Sequence, residues 1–248
     1  MIYYIEFFGV GNVYLIENKG HAVFAVNSIK DLLNVIIPHY ENYSLLTIKR
    51  VNFLLFKEII ELMGEKKHLT EEGLQRIVSI RAIMNKKTPI ASYTRPLIKI
   101  DVPIVPDLTK EDITPEWLVG FTDAEGCFYL NVRLNRSKKG YWVTPLFSLT
   151  QHSRDLLLFK LIIEFLGFGI LVDEKSRDVV RIRTENFQII YENVIPFFTN
   201  YPLESSKLLN FQDFCKACDL IKEKAHLTEE GIAKIKIIKS GMNTGRKD

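Results

Sequence analysis

Residues 127–135 read Cys-Phe-Tyr-Leu-Asn-Val-Arg-Leu-Asn, an alternation of period two. It puts Phe128, Leu130, Val132 and Leu134 on one face of a strand and Tyr129, Asn131, Arg133 and Asn135 on the other. The polar set has a definite chemistry. Arginine and asparagine pair with base edges, and arginine and tyrosine reach phosphate oxygens. Arg181 and Arg183 alternate in the same way in the run 179–184, and basic residues gather at the turns beside both runs: Arg136, Lys138, Lys139, Lys175 and Arg177. Such a surface suits nucleic acid. A solvated antiparallel sheet face carries similar residues, so on this feature alone both readings stand.

Other reactive groups are sparse. Cys215-Lys-Ala-Cys218 has a spacing used for metals and redox, but it stands alone inside a helical pattern, where buried packing is the simpler role. With only three cysteines a disulfide framework is excluded and a reducing compartment is expected. His68 and His226 each precede Leu-Thr-Glu-Glu, a helix start whose acids favour the dipole, and no His/Cys grouping suggests zinc.

The chain has 248 residues, 47% of them hydrophobic and 25% charged, and a net charge of +3. That composition fits a core-forming protein, and the charge is too small to argue for nucleic acid by itself. The most apolar run, 156–172, contains Lys160 and Glu164 and ends in Gly167 and Gly169, so it reads as an amphipathic helix running into a turn, not as a membrane span. No signal or transit peptide is visible at the N-terminus. The leaning toward Ile, Phe, Tyr, Asn and Lys is what AT-rich codons favour.

The elements that must carry these residues alternate in type. A short helix is predicted over Trp117–Thr122, ending near 123–126. A hairpin follows, from Cys127 through a turn at Gly140 and back along 142–151. A helix starting at Ser153 or Asp155 ends at Gly167, and a second hairpin pairs 171–172 with 179–184. Helices fill the remainder, so the fold class is α+β, with one sheet face covered by helices and the other polar.

The chain is also duplicated. HLTEEG occurs at 68–73 and 226–231, 158 residues apart, and EFFGVG at 6–11 meets EFLGFG at 164–169 in that register. Pro38 then meets Pro196, Lys49 meets Lys207, and Met84-Asn85 meets Met242-Asn243, without a gap. The second copy opens at Trp117, whose counterpart would lie some forty residues before Met1. The expected organisation is therefore a first half-domain, 1–85, without its opening helix and first hairpin. A proline-rich linker, 86–116, and a second half-domain, 117–248, follow it.

Leu118 to Gly126, LVGFTDAEG, resembles the nine-residue signature of the LAGLIDADG homing endonucleases. It matches at Leu118, Gly120, Asp123, Ala124 and Gly126, with Glu125 as a carboxylate in a carboxylate's place. FFGVG, the run SIKDLLNVIIPHY, YPL followed by lysine, and HLTEEG with a later Met-Asn resemble the mitochondrial intron-encoded branch, and the likeness covers nearly the whole chain.

That resemblance implies a homing-endonuclease-like fold of two pseudo-symmetric αββαββα halves, the first one truncated, whose antiparallel sheets form a DNA-binding saddle. It implies paired motif helices packed through Gly120 and Ala124, each delivering one carboxylate, here Glu125, beside the Gly126 backbone, to a divalent metal, Mg²⁺ or another. Lys207 matches a lysine near the scissile phosphate, with Lys49 as its copy-one partner, and Gln151 matches a polar position that orders the hydrolytic water. The implied function is Mg²⁺-dependent, site-specific cleavage of both strands of double-stranded DNA by an intron-encoded protein of the mitochondrion, encoded in the organelle. The alternatives are a maturase acting on its own intron RNA and a DNA-binding protein without catalysis. The resemblance implies no membrane. A dimer is expected only through the lone motif helix, which would expose Leu118 and Phe121.

Overall fold

The computed structural model describes residues 2–17, 21–84, 96–104, 108–135 and 140–246. Two compact units divide it, residues 1–107 and 108–248.

The second unit is organised around a four-stranded antiparallel sheet. Helix α6 (Pro115–Glu125) starts two residues earlier than the motif suggests. Thr114 caps it, accepting from the Trp117 N–H at 3.2 Å, and Pro115 supplies a first-turn residue that needs no donor. Strands β3 (Gly126–Leu134) and β4 (Tyr141–His152) form the first hairpin, and β5 (Ile170–Glu174) and β6 (Val179–Thr184) form the second. Their order is β3-β4-β6-β5, so β3 is an edge strand. Between the hairpins runs α7 (Leu156–Leu166), stopped by Gly167 in the left-handed conformation that glycine adopts without strain. After β6 come α8 (Phe187–Ile189), α9 (Ile195–Asn200), α10 (Lys207–Lys222) and α11 (Glu229–Ser240).

Register assigns the faces. Phe128 pairs with Phe147, Leu130 with Pro145 and Leu149 with Ile182, and all six are buried. Phe128 sits among the rings of Phe147, Phe198, Phe211 and Phe214, so α9 and α10 close one sheet face. Pro145 is tolerated because β4 is paired only with β3 at that point; β6 joins from Phe147 onward. Leu134, expected on the covered face, is 61% exposed, because the strand end runs past the helices that cover the sheet.

In the first unit the second hairpin and the helices recur in register. They comprise α1 (Ile2–Phe8), β1 (Asn12–Ile16), β2 (His21–Ala25), α2 (Ile29–Asp31), α3 (Ile37–Asn42), α4 (Lys49–Gly64) and α5 (Glu71–Ile83). Both copies place a π-helical turn just before the shared proline, Leu32–Ile36 ahead of Pro38 and Ile190–Val194 ahead of Pro196. A proline inside a helix removes one donor and crowds the carbonyl four residues back, and the widened turn accommodates both effects. Residues 96–100 lie along α5: the Ile98 N–H donates to the Ser79 hydroxyl at 3.0 Å, and Ile100 is buried with Leu55 and Ile80.

Candidate nuclease site

The two ends of α6 have different tasks. Leu118, Val119 and Thr122 are buried, and the helix packs on β3 and β4. Phe121 stacks on Trp117 at 5.0 Å and meets Phe159 of α7 edge-on at 6.1 Å. The expectation that Leu118 and Phe121 would be left exposed is therefore corrected: Leu118 is buried and Phe121 is half-buried. The exposed motif residues are Gly120, Ala124 and Glu125, and a side chain added at Gly120 would meet nothing within 4 Å.

Glu125 ends α6 with its carboxylate exposed, and the chain turns at once into β3. The turn is tight: a Cβ on Gly126 would lie 2.6 Å from the Thr122 carbonyl oxygen, so glycine is required for close approach. Asp123, two residues before Glu125, points to the loop before α10. Its carboxylate accepts from the Glu204 N–H at 2.8 Å and from the Ser205 hydroxyl at 2.6 Å. Ser205 in turn accepts from the Lys207 N–H at 3.1 Å. Asp123 thus positions backbone. The clamp fixes the start of α10, from which the Lys207 ammonium reaches the carbonyl of Gly126, next to Glu125. Unit 1 repeats the local cap, with the Lys49 N–H donating to Thr47 at 3.2 Å and the lysine side chain exposed.

Cys127 follows on the polar face and pairs in register with Ser148, which pairs with Arg183. Burial pushes the Cys127 thiol up, while the charges of Lys207 and Arg181 pull the other way. Tyr129, Asn131 and Arg133 share this face. Arg181 donates to Thr150 at 3.2 Å and pairs with Glu174 at 3.3 Å, and Arg177 and Arg183 pair with Glu174 and Glu185, both at 3.7 Å. Lys175 is exposed in the β5–β6 turn, and the Asn135 N–H donates to the Gly140 carbonyl across the β3–β4 turn. Arg136, Lys138 and Lys139 lie outside the described residues.

Gln151 is not brought to this cluster. Its register partner is the buried Val180, on the face opposite Cys127 and Ser148, and its side chain accepts from the His152 N–H at 3.0 Å. Sequence reading passed over Ser148. The rung with Cys127 places it on the polar face, and the pattern of one strand does not give that rung.

Among the described residues there is no group of three or more His, Cys, Asp or Glu that could hold a metal. A single exposed carboxylate still fits Mg²⁺, a hard cation that keeps several waters and takes one or two carboxylates plus substrate phosphates. The Cys215 thiol is pushed up to about 12 by burial, and burial raises Cys218 too, so this pair is packed thiol, not thiolate ligand. Among the described residues no helix is long and apolar enough to cross a membrane.

A polar antiparallel sheet, a small-residue helix ending in a carboxylate and a lysine clamped beside it together define a LAGLIDADG-type site. The LAGLIDADG endonuclease profile matches residues 1–60 and 118–218, and the chain belongs to that family. Probable intron-encoded endonuclease 3 of Neurospora crassa is 36% identical over 239 residues, covering 93% of this chain and 43% of that protein. Probable intron-encoded endonuclease 2 of the same fungus is 35% identical over 246 residues, 95% of this chain and 53% of the relative. The chain thus spans about half the length of these curated relatives. The meganuclease I-SmaMI, solved bound to uncleaveable DNA, superposes with a TM-score of 0.91 at 34% identity, over 99% of this chain and 83% of that one. I-SmaMI has also been solved with calcium ions on an uncleaved target and on cleaved DNA.

Proposed function

We propose that this chain acts as an intron-encoded, site-specific DNA endonuclease that hydrolyses phosphodiester bonds of double-stranded DNA with a divalent cation, Mg²⁺ by preference. The observation that carries this reading is the convergence at the end of α6. The exposed Glu125 carboxylate and the Lys207 ammonium meet within one residue of each other, at one end of a polar sheet face bearing Tyr129, Asn131, Arg133, Arg181 and Arg183. Glu125 would hold the cation, which when bound supplies charge neutralisation for the phosphate under attack. Lys207, fixed by Asp123 and Ser205, faces the same phosphate and offsets the negative charge that grows on its oxygens. Hydrolysis forms one bond from water oxygen to phosphorus and breaks one ester bond, the water proton passing to solvent and the leaving oxygen taking one up.

Lys49, Asn135, Lys175, Arg177 and the turn residues Arg136, Lys138 and Lys139 are proposed DNA contacts, while Gln151 is left as a strand-end residue. Structures of I-SmaMI include variants with two lysines replaced by alanine, singly and together. Their separation is within one residue of that between Lys49 and Lys207, which supports a matched pair of functional lysines. The relatives' intron origin, including open reading frames of ND4 and cox1 introns, supports a mitochondrial setting. The test is cleavage of intronless target DNA with and without Mg²⁺: metal-dependent double-strand cuts support the reading, and binding without cutting would return it to a DNA-binding role.

A further inference from the structure

Along the outer edge of β3 the second unit has a cleft of about 540 Å³, bounded on one side by Cys127 and Tyr129 and on the other by Lys236 and Lys239 of α11 and the segment 242–245. Lys236 and Lys239 are three residues apart and so share a helix face. Lys236 lies over the Tyr141 ring, 3.7 Å from its centroid, and Lys239 lies 5.1 Å from the centroid of Tyr129. An ammonium resting on an aromatic face is attracted by the ring and held in one place, so part of the ordering cost of meeting a ligand is already met.

These lysines differ from the arginines of the sheet. Arg177, Arg181 and Arg183 each face a carboxylate. Among the described residues no acid stands within ion-pair distance of Lys236 or Lys239. The cleft wall also offers main-chain groups. The Phe128 carbonyl accepts from the Asn243 side-chain amide at 3.0 Å, so the peptide groups of Leu130 and Val132, two and four residues on, face the same open edge. The far wall is fixed in turn: the Asn243 N–H donates to Asn210 at 2.8 Å, and Arg246 pairs with Asp213.

We infer that this cleft is a second phosphate-binding site for the DNA backbone, in which Lys236 and Lys239 seat a strand of the duplex next to the one held at Glu125. Cys127 joins the two places, being two residues beyond Glu125, next to the Gly126 carbonyl that Lys207 reaches, and part of the cleft wall. The inference rests on the endonuclease reading and extends its contact surface from the sheet face around the edge of β3 onto α11.

The experiment compares the full chain with the Lys236→Gln/Lys239→Gln double variant. Binding to a duplex of arbitrary sequence is measured by fluorescence anisotropy across a salt series. Each lost phosphate contact lowers the slope of log K against log salt by about 0.9, so the pair should lower it by roughly 1.8. Lys236→Arg/Lys239→Arg, which keeps both charges, should keep the slope. An unchanged slope in the glutamine pair, with helical signal and melting temperature also unchanged, overturns the site while leaving the endonuclease reading intact. Loss confined to an RNA hairpin, with duplex binding untouched, overturns it too. A wild-type chain with no salt-dependent duplex binding overturns both.

Discussion

The hydroxyl of Ser205 donates to the carboxylate of Asp123 at 2.6 Å, joining two segments 82 positions apart in the chain. This contact, with the Glu204 N–H on the same carboxylate, sets where α10 begins and therefore where Lys207 stands. Asp123→Asn keeps the shape but removes the negative charge, so the bonds from the Glu204 and Ser205 N–H groups lose their charge assistance and the Ser205 hydroxyl must turn from donating to accepting. Cleavage should fall at least tenfold with duplex affinity kept within a few-fold. Full cleavage by this variant would show that Lys207 needs no such clamp.

Gly126 is predicted to be intolerant for steric, not conformational, reasons. Gly126→Ala puts a methyl against the Thr122 carbonyl and should cost about 1–3 kcal/mol through forced displacement of the helix end. Urea unfolding measures it, with a midpoint equal to wild type as the contrary result.

On the sheet face, Glu174 competes for the cations that DNA would use, since it pairs with both Arg177 and Arg181. Glu174 and Arg181 are only partly buried, and ion pairs that water still reaches stabilise little. Glu174→Gln should therefore leave stability nearly unchanged and raise duplex affinity several-fold at moderate salt. A weaker complex would mean that Glu174 aims Arg181 instead of restraining it.

Acid stability should depend on Asp213. Burial pushes its carboxyl up, but hydrogen bonds and charge from Lys216 and Arg246 outweigh that and hold it below the ordinary value near 3.8. A depressed folded value means that the stabilisation is complete above the unfolded pKa and is lost as pH falls through the folded one. Asp213→Asn should be less stable than wild type near neutrality, with the gap closing below about pH 4. A gap of constant size down to strong acid would contradict the linkage.

Much of this fold was legible before the structure. The alternation from Phe128, the stop at Gly167 and the register between the copies each rest on local physics that sequence displays directly. What escaped was parity at the far strand. Gln151 attracted attention as a polar residue at a strand end, yet Ser148 is the residue that register sets across from Cys127. Pairing between strands, not the pattern of one strand, decides which face a residue occupies. The exposure foreseen for Leu118 failed for a related reason. A helix taken alone shows its apolar residues, whereas α6 turns Leu118 and Val119 inward and shows Gly120 and Ala124. Nor could composition disclose that Arg181 and Arg183 already face carboxylates, because those partners come from a neighbouring strand and the following turn.

The central claim is that Glu125 carries metal-dependent cleavage, and Glu125→Gln tests it most directly. The substitution preserves size and removes the anionic ligand. With Mg²⁺ titrated over a fixed target, the account predicts cleavage lower by orders of magnitude at every concentration, while the duplex dissociation constant stays within a few-fold of wild type. Cleavage at the wild-type rate, with the same Mg²⁺ dependence, would contradict it.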